Sequence, residues 1–263
     1  MLVCAIGDLL LDVIVRVDGP IAADTDTYGR TSVGPGGQAA NVAAWVSALG
    51  GQGRFLGKRA DDPAGRLLVE ELTGRGVELA GPVAERGTGT VVSLATPDGR
   101  RSMLSDRGIA AQFSVEELDL AALEACDVLH VPGYSLARAP LADTAIAAAG
   151  VVSRVSLDVS SVAAVQELGV DTFRALVSVL APQVVFATEE ESDLVGPLDA
   201  ETVVVKRGPR GCSVDGVDYA AEPVDVVDAT GAGDAFAAGF LLGGAELGLA
   251  AAARCVARMG AMP

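Results

Sequence analysis

The sequence predicts an α/β protein with three layers, in which a mostly parallel sheet lies between helices and a small antiparallel sheet lies beside it. Short, continuously apolar runs alternate with Ala-rich segments of helical period, which is typical of a parallel sheet covered on both faces. The chain has 263 residues, of which 50% are hydrophobic and 21% charged. This is enough for one large ordered domain, predicted over residues 1–263.

The buried strands are predicted where short apolar runs are uninterrupted by charge. Their ranges are 2–6, 128–131, 155–159, 184–187 and 203–206. Apolar residues at helical spacing predict helices over 38–49, 63–74, 115–125, 138–149, 170–180, 232–243 and 247–259. Ser114, with Glu117 three residues later, predicts a capping box at the start of the third helix.

The small antiparallel sheet is predicted from alternating polar and apolar residues in three segments. These cover about 12–18, 27–34 and 90–106, and the last holds a hairpin turn signal at Pro97-Asp98-Gly99. A sheet with one free face is suited to act as a lid over a ligand, and ordinary edge strands are the alternative interpretation.

Composition excludes several classes of function. The 35 acidic and 19 basic residues give a net charge of −16, which disfavours nucleic acid and anionic membrane surfaces as partners. Cysteines at 4, 126, 212 and 255 form no CxxC pair, so neither a zinc site nor a disulfide framework is indicated, and a cytoplasmic location is expected. The chain has no GxxxxGK[ST] motif, and its only histidine, His130, lies in an apolar run typical of a core strand.

The segment Asp228-Ala-Thr-Gly-Ala-Gly-Asp234 carries the strongest chemical signal. Gly231 and Gly233 permit a sharp bend, and the helix that follows directs free N–H groups and its positive dipole end at that bend. This predicts an anion site. A carboxylate in the first turn, Asp234, is suited to take a proton from a hydroxyl that attacks a phosphoryl group. The alternative is that Asp228 caps the helix and Asp234 only complements its dipole.

A second glycine-rich segment, Gly34-Pro-Gly-Gly-Gln-Ala-Ala-Asn41, also opens a helix. Its backbone and the Asn41 amide suit a neutral polyol, and Asp8 and Asp12 flank the end of the first strand, where ligands of open α/β sheets bind. Asp158 ends another predicted strand near the same crevice, where a capping role and a site role are equally favoured.

Four segments in this order resemble those of the ribokinase-like (PfkB) carbohydrate kinases. The segment 34–41 resembles the N-terminal signature of that family and 228–240 the C-terminal one, while 55–65 and 204–211 resemble stretches between them. The resemblance covers the chain from about residue 2 to its end. It implies ATP-dependent phosphorylation of a sugar hydroxyl, with Mg²⁺ and an optional K⁺ as cofactors.

The resemblance also implies roles for individual residues. Asp234 would be the catalytic base, beside an anion hole of backbone amides from Gly231, Ala232, Gly233 and Asp234. The expected sugar ligands are Asp8, Asp12, Gly36, Gly37 and Asn41. The nucleotide side would be lined by Lys206, Gly208, Gly211 and Gly260.

The chain departs from the family pattern at two places. The usual Asn-x-x-Glu, which helps to place Mg²⁺, reads Thr188-Glu-Glu-Glu191 here, so Glu191 remains a candidate metal ligand and Thr188 replaces the Asn. The chain also ends at Pro263, whereas relatives continue for another loop and helix. Asp228 matches half of the monovalent-cation site of the family.

The acceptor is left open by the sequence. Arg107, on the second arm of the predicted lid hairpin, would favour a sugar acid if it points inward, because its guanidinium binds a carboxylate through two hydrogen bonds. A nucleoside kinase of the same fold and a non-catalytic sugar or nucleotide sensor are the alternatives. A homodimer through the lid is a further expectation from the family.

Overall fold

The computed structural model describes residues 1–95 and 101–263. The predicted turn at Pro97-Asp98-Gly99, and with it part of the predicted lid segment 90–106, lies outside the described residues.

The described residues form the following elements. The strands are β1 (Leu2–Ile6), β2 (Leu10–Val17), β3 (Gly29–Gly36), β4 (Gln52–Leu56), β5 (Arg59–Ala60), β6 (Glu78–Ala80), β7 (Val83–Ala84), β8 (Thr88–Ala95), β9 (Arg101–Gly108), β10 (Val128–Pro132), β11 (Val155–Asp158), β12 (Val184–Thr188), β13 (Thr202–Lys206), β14 (Cys212–Val214) and β15 (Val217–Tyr219). The helices are α1 (Gln38–Ala48), α2 (Pro63–Gly74), α3 (Leu141–Ala149), α4 (Val162–Leu168), α5 (Val170–Leu180), α6 (Glu189–Val195) and α7 (Ala232–Val256).

The main sheet confirms the predicted fold class. Its strand order is β15-β14-β13-β12-β11-β10-β1-β4-β6, parallel from β6 to β13 and antiparallel only at β14 and β15. Alternate residues of β1 point to opposite faces, so Cys4 and Ile6 pack with α3 and α5, and Val3 and Ala5 pack with α1 and α7. The sheet therefore has a buried core on each face.

The smaller sheet has the order β3-β2-β8-β9. β2 pairs antiparallel with β3, as predicted, but parallel with β8. No hairpin joins β2 to β8, because α2 and β6 lie between them in the chain. Both β2 and β3 extend beyond the predicted segments, β2 beginning at Leu10 and β3 ending at Gly36. Their shared end thereby reaches the glycine pair that precedes α1.

One predicted helix is wrong. Residues 115–125 form two short 3₁₀ turns, Val115–Glu117 and Leu120–Leu123, separated by Leu118 and Asp119 in extended conformations. The predicted capping contact is present, since Glu117 Oε2 accepts from the Ser114 N–H at 3.1 Å, but Asp119 caps a second turn in place of continuing the first.

The last two predicted helices are both present, as two helical stretches of α7 that meet at a kink. α7 runs from Ala232 to Val256, with non-helical backbone at Gly243 and Gly244. By length and composition α7 could cross a membrane, although 44% of its apolar window is buried inside the protein. Ala235, Ala238 and Cys255 of α7 pack in the core with α1, which is the environment of a core helix.

Candidate active site

The candidate site lies at the carboxyl ends of the parallel strands, where open α/β sheets bind their ligands. Strands β1, β11 and β13 end there at Ile6, Asp158 and Lys206, and the N-termini of α1 and α7 face the same region. Polar side chains from β11, β13, α1 and α7 meet there in one cluster.

The turn before α7 requires glycine at its cap. Gly231 has φ 76°, and a Cβ there would lie 2.5 Å from the Cβ of Ala261. Asp228 holds the turn from the other side: its Oδ1 accepts from Thr230 N at 3.0 Å and Oγ1 at 2.6 Å, and its Oδ2 accepts from Gly260 N at 3.1 Å. The Thr230 donors precede the first helical residue, Ala232, so these bonds fix the turn and tie Gly260 to it, and a capping role of Asp228 toward α7 stays a prediction.

The bend exposes backbone donors. No hydrogen-bond acceptor within the described ranges 1–95 and 101–263 meets the N–H of Gly233 or Asp234, and the Ala232 N–H makes only a long 3.4 Å bond to Ala229. Because helix α7 begins here, its positive dipole end adds to these free amides. The bend can therefore hold an anion.

Asp234 is buried beside this bend. Its Oδ2 accepts from Asn41 Nδ2 at 2.7 Å, which joins the first turn of α7 to α1. Burial, with a smaller contribution from Asp158, raises the pKa of Asp234 from 3.8 to about 7, although Asn41, Lys206 and Gln38 partly oppose the rise. A carboxylate with a pKa near neutrality can both take and return a proton.

Lys206 supplies a positive charge at the same place. Its Nζ donates to Asp158 Oδ2 at 2.5 Å, and a Cβ on Gly233 would lie 3.4 Å from it. Burial alone would lower the pKa of Lys206, but the negative charges of Asp158, Glu191 and Asp234 outweigh burial and raise it. The ammonium group is therefore charged at neutral pH.

The acidic pair from the N-terminal segment lies against the glycine pair. A Cβ on Gly36 would collide with the carboxylate of Asp12, and one on Gly37, where φ is 95°, would collide with the carbonyl oxygen of Asp8. Only glycines let β3 and α1 approach these two acids so closely. The structure thus brings together the predicted sugar ligands Asp8, Asp12, Gly36 and Gly37.

Two acceptor atoms beside this glycine pair are unused. Asp8 Oδ1 and Asn41 Oδ1 are buried and have no hydrogen-bond partner among the described residues. Unpaired buried oxygens are costly, so both atoms have unused capacity to accept a hydrogen bond.

Arg107 points inward from the end of β9. Its guanidinium forms an ion pair with Asp8 and lies over the ring of Tyr134, with Cζ 4.4 Å from the ring centroid. A cavity of about 600 Å³ adjoins it, lined in part by Tyr134, Arg138 and Ser161. Arg107 therefore joins the smaller sheet to the region of Asp8.

The predicted nucleotide-side residues lie around the end of β13. Gly208 and Gly211 have φ 56° and 91° and form the turn to β14, where a Cβ on Gly211 would collide with the Tyr219 carbonyl. Thr188 caps α6, since the Glu191 N–H donates to Thr188 Oγ1 at 3.2 Å and Glu191 Oε2 accepts from Thr188 N at 2.7 Å. Burial raises the pKa of Glu191.

Sequence reasoning missed two residues that connect these groups. Gln38, first residue of α1, faces Asp234 and accepts from Ser160 Oγ at 2.6 Å, while the Ser160 N–H donates to Asp158 Oδ1 at 3.0 Å. Ser160 has φ 74°, an unusual backbone conformation for a non-glycine residue, which no local sequence pattern reveals.

His130 is fully buried, as predicted, and its Nδ1 lies 3.0 Å from Ser156 Oγ.

A family model identifies what this arrangement belongs to. The model described as the pfkB family of carbohydrate kinases matches residues 1–262. The chain belongs to this family. It is an ATP-dependent carbohydrate kinase in the broad sense, acting on a sugar or a nucleoside, and its ribokinase-like fold confirms the predicted fold class.

Individual relatives support the assignment. The chain is 30% identical over 267 residues to Fructokinase-1 of Zea mays, covering 91% of this chain and 82% of that one. It superposes on the adenosine kinase of Sinorhizobium meliloti with a TM-score of 0.89 at 25% identity, over 99% and 95% of the two chains. A sugar kinase of Pyrococcus horikoshii, solved in complex with ATP, gives a TM-score of 0.83 at 26% identity, over 99% and 95%.

Proposed function

We propose that this carbohydrate kinase transfers the γ-phosphoryl group of ATP to a hydroxyl group of a sugar, with Asp234 as the general base. The observation that carries the proposal is the position of Asp234: buried, in the first turn after an anion-binding bend, with a pKa of about 7. A carboxylate is unfavourable beside a bound phosphate unless it has a function there.

The reaction uses groups already in place. The acceptor hydroxyl loses its proton to Asp234 as its oxygen attacks the γ-phosphorus in line. Asn41 holds Asp234 through the 2.7 Å hydrogen bond, and the free amides of Gly233 and Asp234 stabilise charge on the phosphoryl oxygens. Asp8 Oδ1 and Asn41 Oδ1 would accept hydrogen bonds from the sugar.

Mg²⁺ fits as a partner of the phosphates more than of the protein. Among the described residues no three His, Cys, Asp or Glu side chains cluster to hold a metal. Glu191, buried in the first turn of α6, is one of three carboxylates near Lys206, with Asp158 and Asp234. Mg²⁺ in phosphoryl transfer commonly takes one or two carboxylates plus phosphate oxygens, so Glu191 would suffice on the protein side. When bound, Mg²⁺ would neutralise phosphate charge.

A K⁺ site at Asp228 stays a prediction, since that carboxylate accepts hydrogen bonds from Thr230 and Gly260.

The acceptor is proposed to be a monosaccharide, and a nucleoside is the second candidate. The fructokinase relative favours the sugar. The adenosine kinase neighbour favours the nucleoside, whose base would find space in the cavity of about 600 Å³ lined by Arg107 and Tyr134. Arg107 already pairs with Asp8, so a sugar acid would have to compete for it.

The smaller sheet is proposed as the lid of this site. Asp62 anchors its base: Oδ1 caps α2 through Gly65 N at 2.8 Å, and Oδ2 accepts from the N–H groups of Gly87 and Thr88 at 2.9 Å. Its exposed apolar residues, among them Val33 and Leu104, suit the expected homodimer contact, which stays a prediction, as does the cytoplasmic location.

An acceptor screen tests the proposal. Fructose, ribose, adenosine and 2-keto-3-deoxygluconate are each supplied with Mg-ATP, and ADP release is measured for the wild type and for Asp234→Asn. We expect rapid ADP release by the wild type with one sugar. In Asp234→Asn we expect kcat to fall by at least about 10³-fold. Turnover with adenosine alone would select the nucleoside candidate, and near-normal turnover of Asp234→Asn would remove Asp234 from its role.

A further inference from the structure

We propose that Lys206 is a catalytic residue whose ammonium group contacts the migrating phosphoryl group, and that Asp158 is the positioning residue that holds it there. This inference rests on the proposed function. It assigns to Lys206 a contact with the reacting phosphorus centre, and to Asp158 a role that neither family resemblance nor sequence pattern supplies.

The first observation is the distance between Lys206 and the anion-binding bend. A Cβ on Gly233 would lie 3.4 Å from Lys206 Nζ, which is ordinary van der Waals contact, so the ammonium stands directly beside the backbone whose amide is free. A larger residue at 233 would fill the space between the two. An anion seated on the amides of Gly233 and Asp234 is therefore within reach of Lys206.

The second observation is unused hydrogen-bonding capacity. An ammonium group has three N–H donors, and within residues 1–95 and 101–263 Lys206 Nζ has one acceptor, Asp158 Oδ2. Its side chain is 14% exposed and that of Asp158 is fully buried. The two remaining N–H groups are thus held near the bend with little water to satisfy them, which favours an anionic ligand.

The third observation is that Asp158 is fixed from behind. Its Oδ1 accepts from the Ser160 N–H at 3.0 Å, and the Ser160 hydroxyl continues to Gln38 at 2.6 Å. Gln38 in turn faces Asp234. Hydrogen bonds therefore connect Lys206 through Asp158 and Ser160 to Gln38, which lies beside Asp234, so the ammonium group is held from the same side as the base.

A buried ion pair alone seldom adds stability, because desolvation of both charges offsets their attraction. The Lys206–Asp158 pair is more simply explained by pre-organisation: the ammonium is already oriented before phosphate arrives and needs no reorganisation during the reaction. Lys206 keeps its proton throughout. The acceptor O–H proton passes to Asp234, the acceptor O–P bond forms, and the bond between the γ-phosphorus and the bridging oxygen breaks with its electron pair leaving on ADP.

The test compares Lys206→Met with Lys58→Met. Lys58 is a matched control, since it also pairs with a carboxylate at 2.5 Å, to Glu117, and is 15% exposed, but lies outside the site. For Lys206→Met we expect kcat to fall about 10²-fold or more, as for loss of one oxyanion donor, with the KM for ATP changed by less than about threefold. Lys58→Met is expected to keep wild-type kcat.

A binding measurement makes the result independent of turnover. Calorimetry with ADP and tetrafluoroaluminate, which mimics the migrating group, should show affinity about 100-fold weaker in Lys206→Met, with affinity for ADP alone preserved. If Lys206→Met proves less stable than Lys58→Met, Lys206→Arg is measured as a second variant that keeps the positive charge. A kcat of at least about a tenth of the wild-type value supports the inference, and a kcat as low as that of Lys206→Met contradicts it.

The role of Asp158 has its own readout in the pH profile. Charged and titratable groups facing Asp234 are Asp158 from β11, Lys206 from β13 and Cys255 from α7, with the neutral amides of Gln38 and Asn41 from α1. Asp158→Asn should move the acid limb of kcat/KM to lower pH, and Lys206→Met should move it to higher pH, because the two charges act on Asp234 in opposite directions. Shifts in the same direction, or none, would contradict the coupling.

These outcomes separate the two proposals. An active wild type in which Lys206→Met matches Lys58→Met overturns the inference and leaves the proposed function intact. A wild type inert toward every acceptor overturns the proposed function, and the fluoride-complex affinities still decide whether Lys206 contacts the phosphoryl position.

Discussion

Helices α1 and α7 both begin after a glycine at the candidate site, but different charged and polar groups lie near their N-termini. Helix α1 begins after Gly37, with φ 95°, and α7 begins after Gly231, with φ 76°; neither cap residue has a side chain to cover the free N–H groups. The first turn of α1 contains no acid, whereas that of α7 contains Asp234. Asn41 of α1 donates to Asp234 of α7, so one hydrogen bond connects them.

The difference indicates a division of function. The start of α1 lies against the carboxylate of Asp12 and the backbone carbonyl of Asp8, which are hydrogen-bond acceptors suited to neutral hydroxyl groups. The start of α7 lies against an ammonium, Lys206, which attracts anions. Under the proposed function, similar backbone geometry would serve a neutral acceptor at one helix and a phosphoryl group at the other.

The largest effect is expected at the anion-binding start. In Gly231→Ala the new Cβ meets Ala261 and the residue is strained at positive φ, so the bend must move. We expect kcat to fall about 10²-fold or more, since the free amides leave their positions.

Gly76→Ala is the matched control, because Gly76 has the same φ of 76° with nothing within 4 Å of its Cβ position. That variant should lose about 1 kcal/mol of unfolding free energy and keep its kcat. Equal kinetic constants in the two variants would show that the bend at Gly231 has no catalytic function.

A smaller and different effect is expected at the start of α1. Gly37→Ala places a Cβ against the Asp8 carbonyl and should raise the KM for the acceptor about tenfold or more, with the KM for ATP little changed. Gly50→Ala, at φ 90° in open space, serves as its control. A change confined to the KM for ATP would reverse the proposed division.

The hydrogen bond between the two helices gives the next prediction. Asn41→Ala removes a donor that lowers the pKa of Asp234, so the acid limb of the kcat/KM profile should move to higher pH and kcat at pH 7 should fall several-fold, on the order of tenfold. Steady-state kinetics from pH 5 to 9 measures both, and an unmoved limb would show that this bond does not act on the base.

The smallest effect concerns stability. The pKa of Asp234 in the folded protein, about 7, lies above its ordinary value of 3.8. The free-energy cost of holding this group ionised in the native state is therefore fully present above pH 7 and absent below pH 3.8. Asp234→Asn should therefore raise the free energy of unfolding at pH 8, by about 2–4 kcal/mol, and the gain should vanish toward pH 4. Urea unfolding at the two pH values tests this, and an equal difference at both would contradict it.

Local patterns predicted the elements whose signal is local. The strands β1 and β10 to β13 are continuous apolar runs, and both glycine segments were found with their helices. β4 was missed because it begins Gln52-Gly-Arg; the Arg54 guanidinium in fact reaches the Ala122 carbonyl at 2.7 Å and Glu78 at 2.8 Å. A polar residue satisfied by distant partners cannot be distinguished from an exposed one by pattern alone.

The candidate site shows the same limit. Asp234 and its bend follow from a seven-residue motif, and the family model that matches residues 1–262 confirms the predicted family. The Lys206–Asp158 pair joins residues 48 positions apart on non-adjacent strands, and the Ser160–Gln38 contact spans 122 positions. Only the folded sheet brings these groups together, so no spacing rule could have predicted them.

The most direct test of the account is the pH dependence of kcat/KM for the wild-type kinase with its best acceptor. The free enzyme must hold Asp234 ionised to accept a proton, so kcat/KM should fall tenfold per pH unit below an apparent pKa of about 7. A profile that stays flat down to pH 5 would show that no group with this pKa takes the proton, and would contradict the role of Asp234.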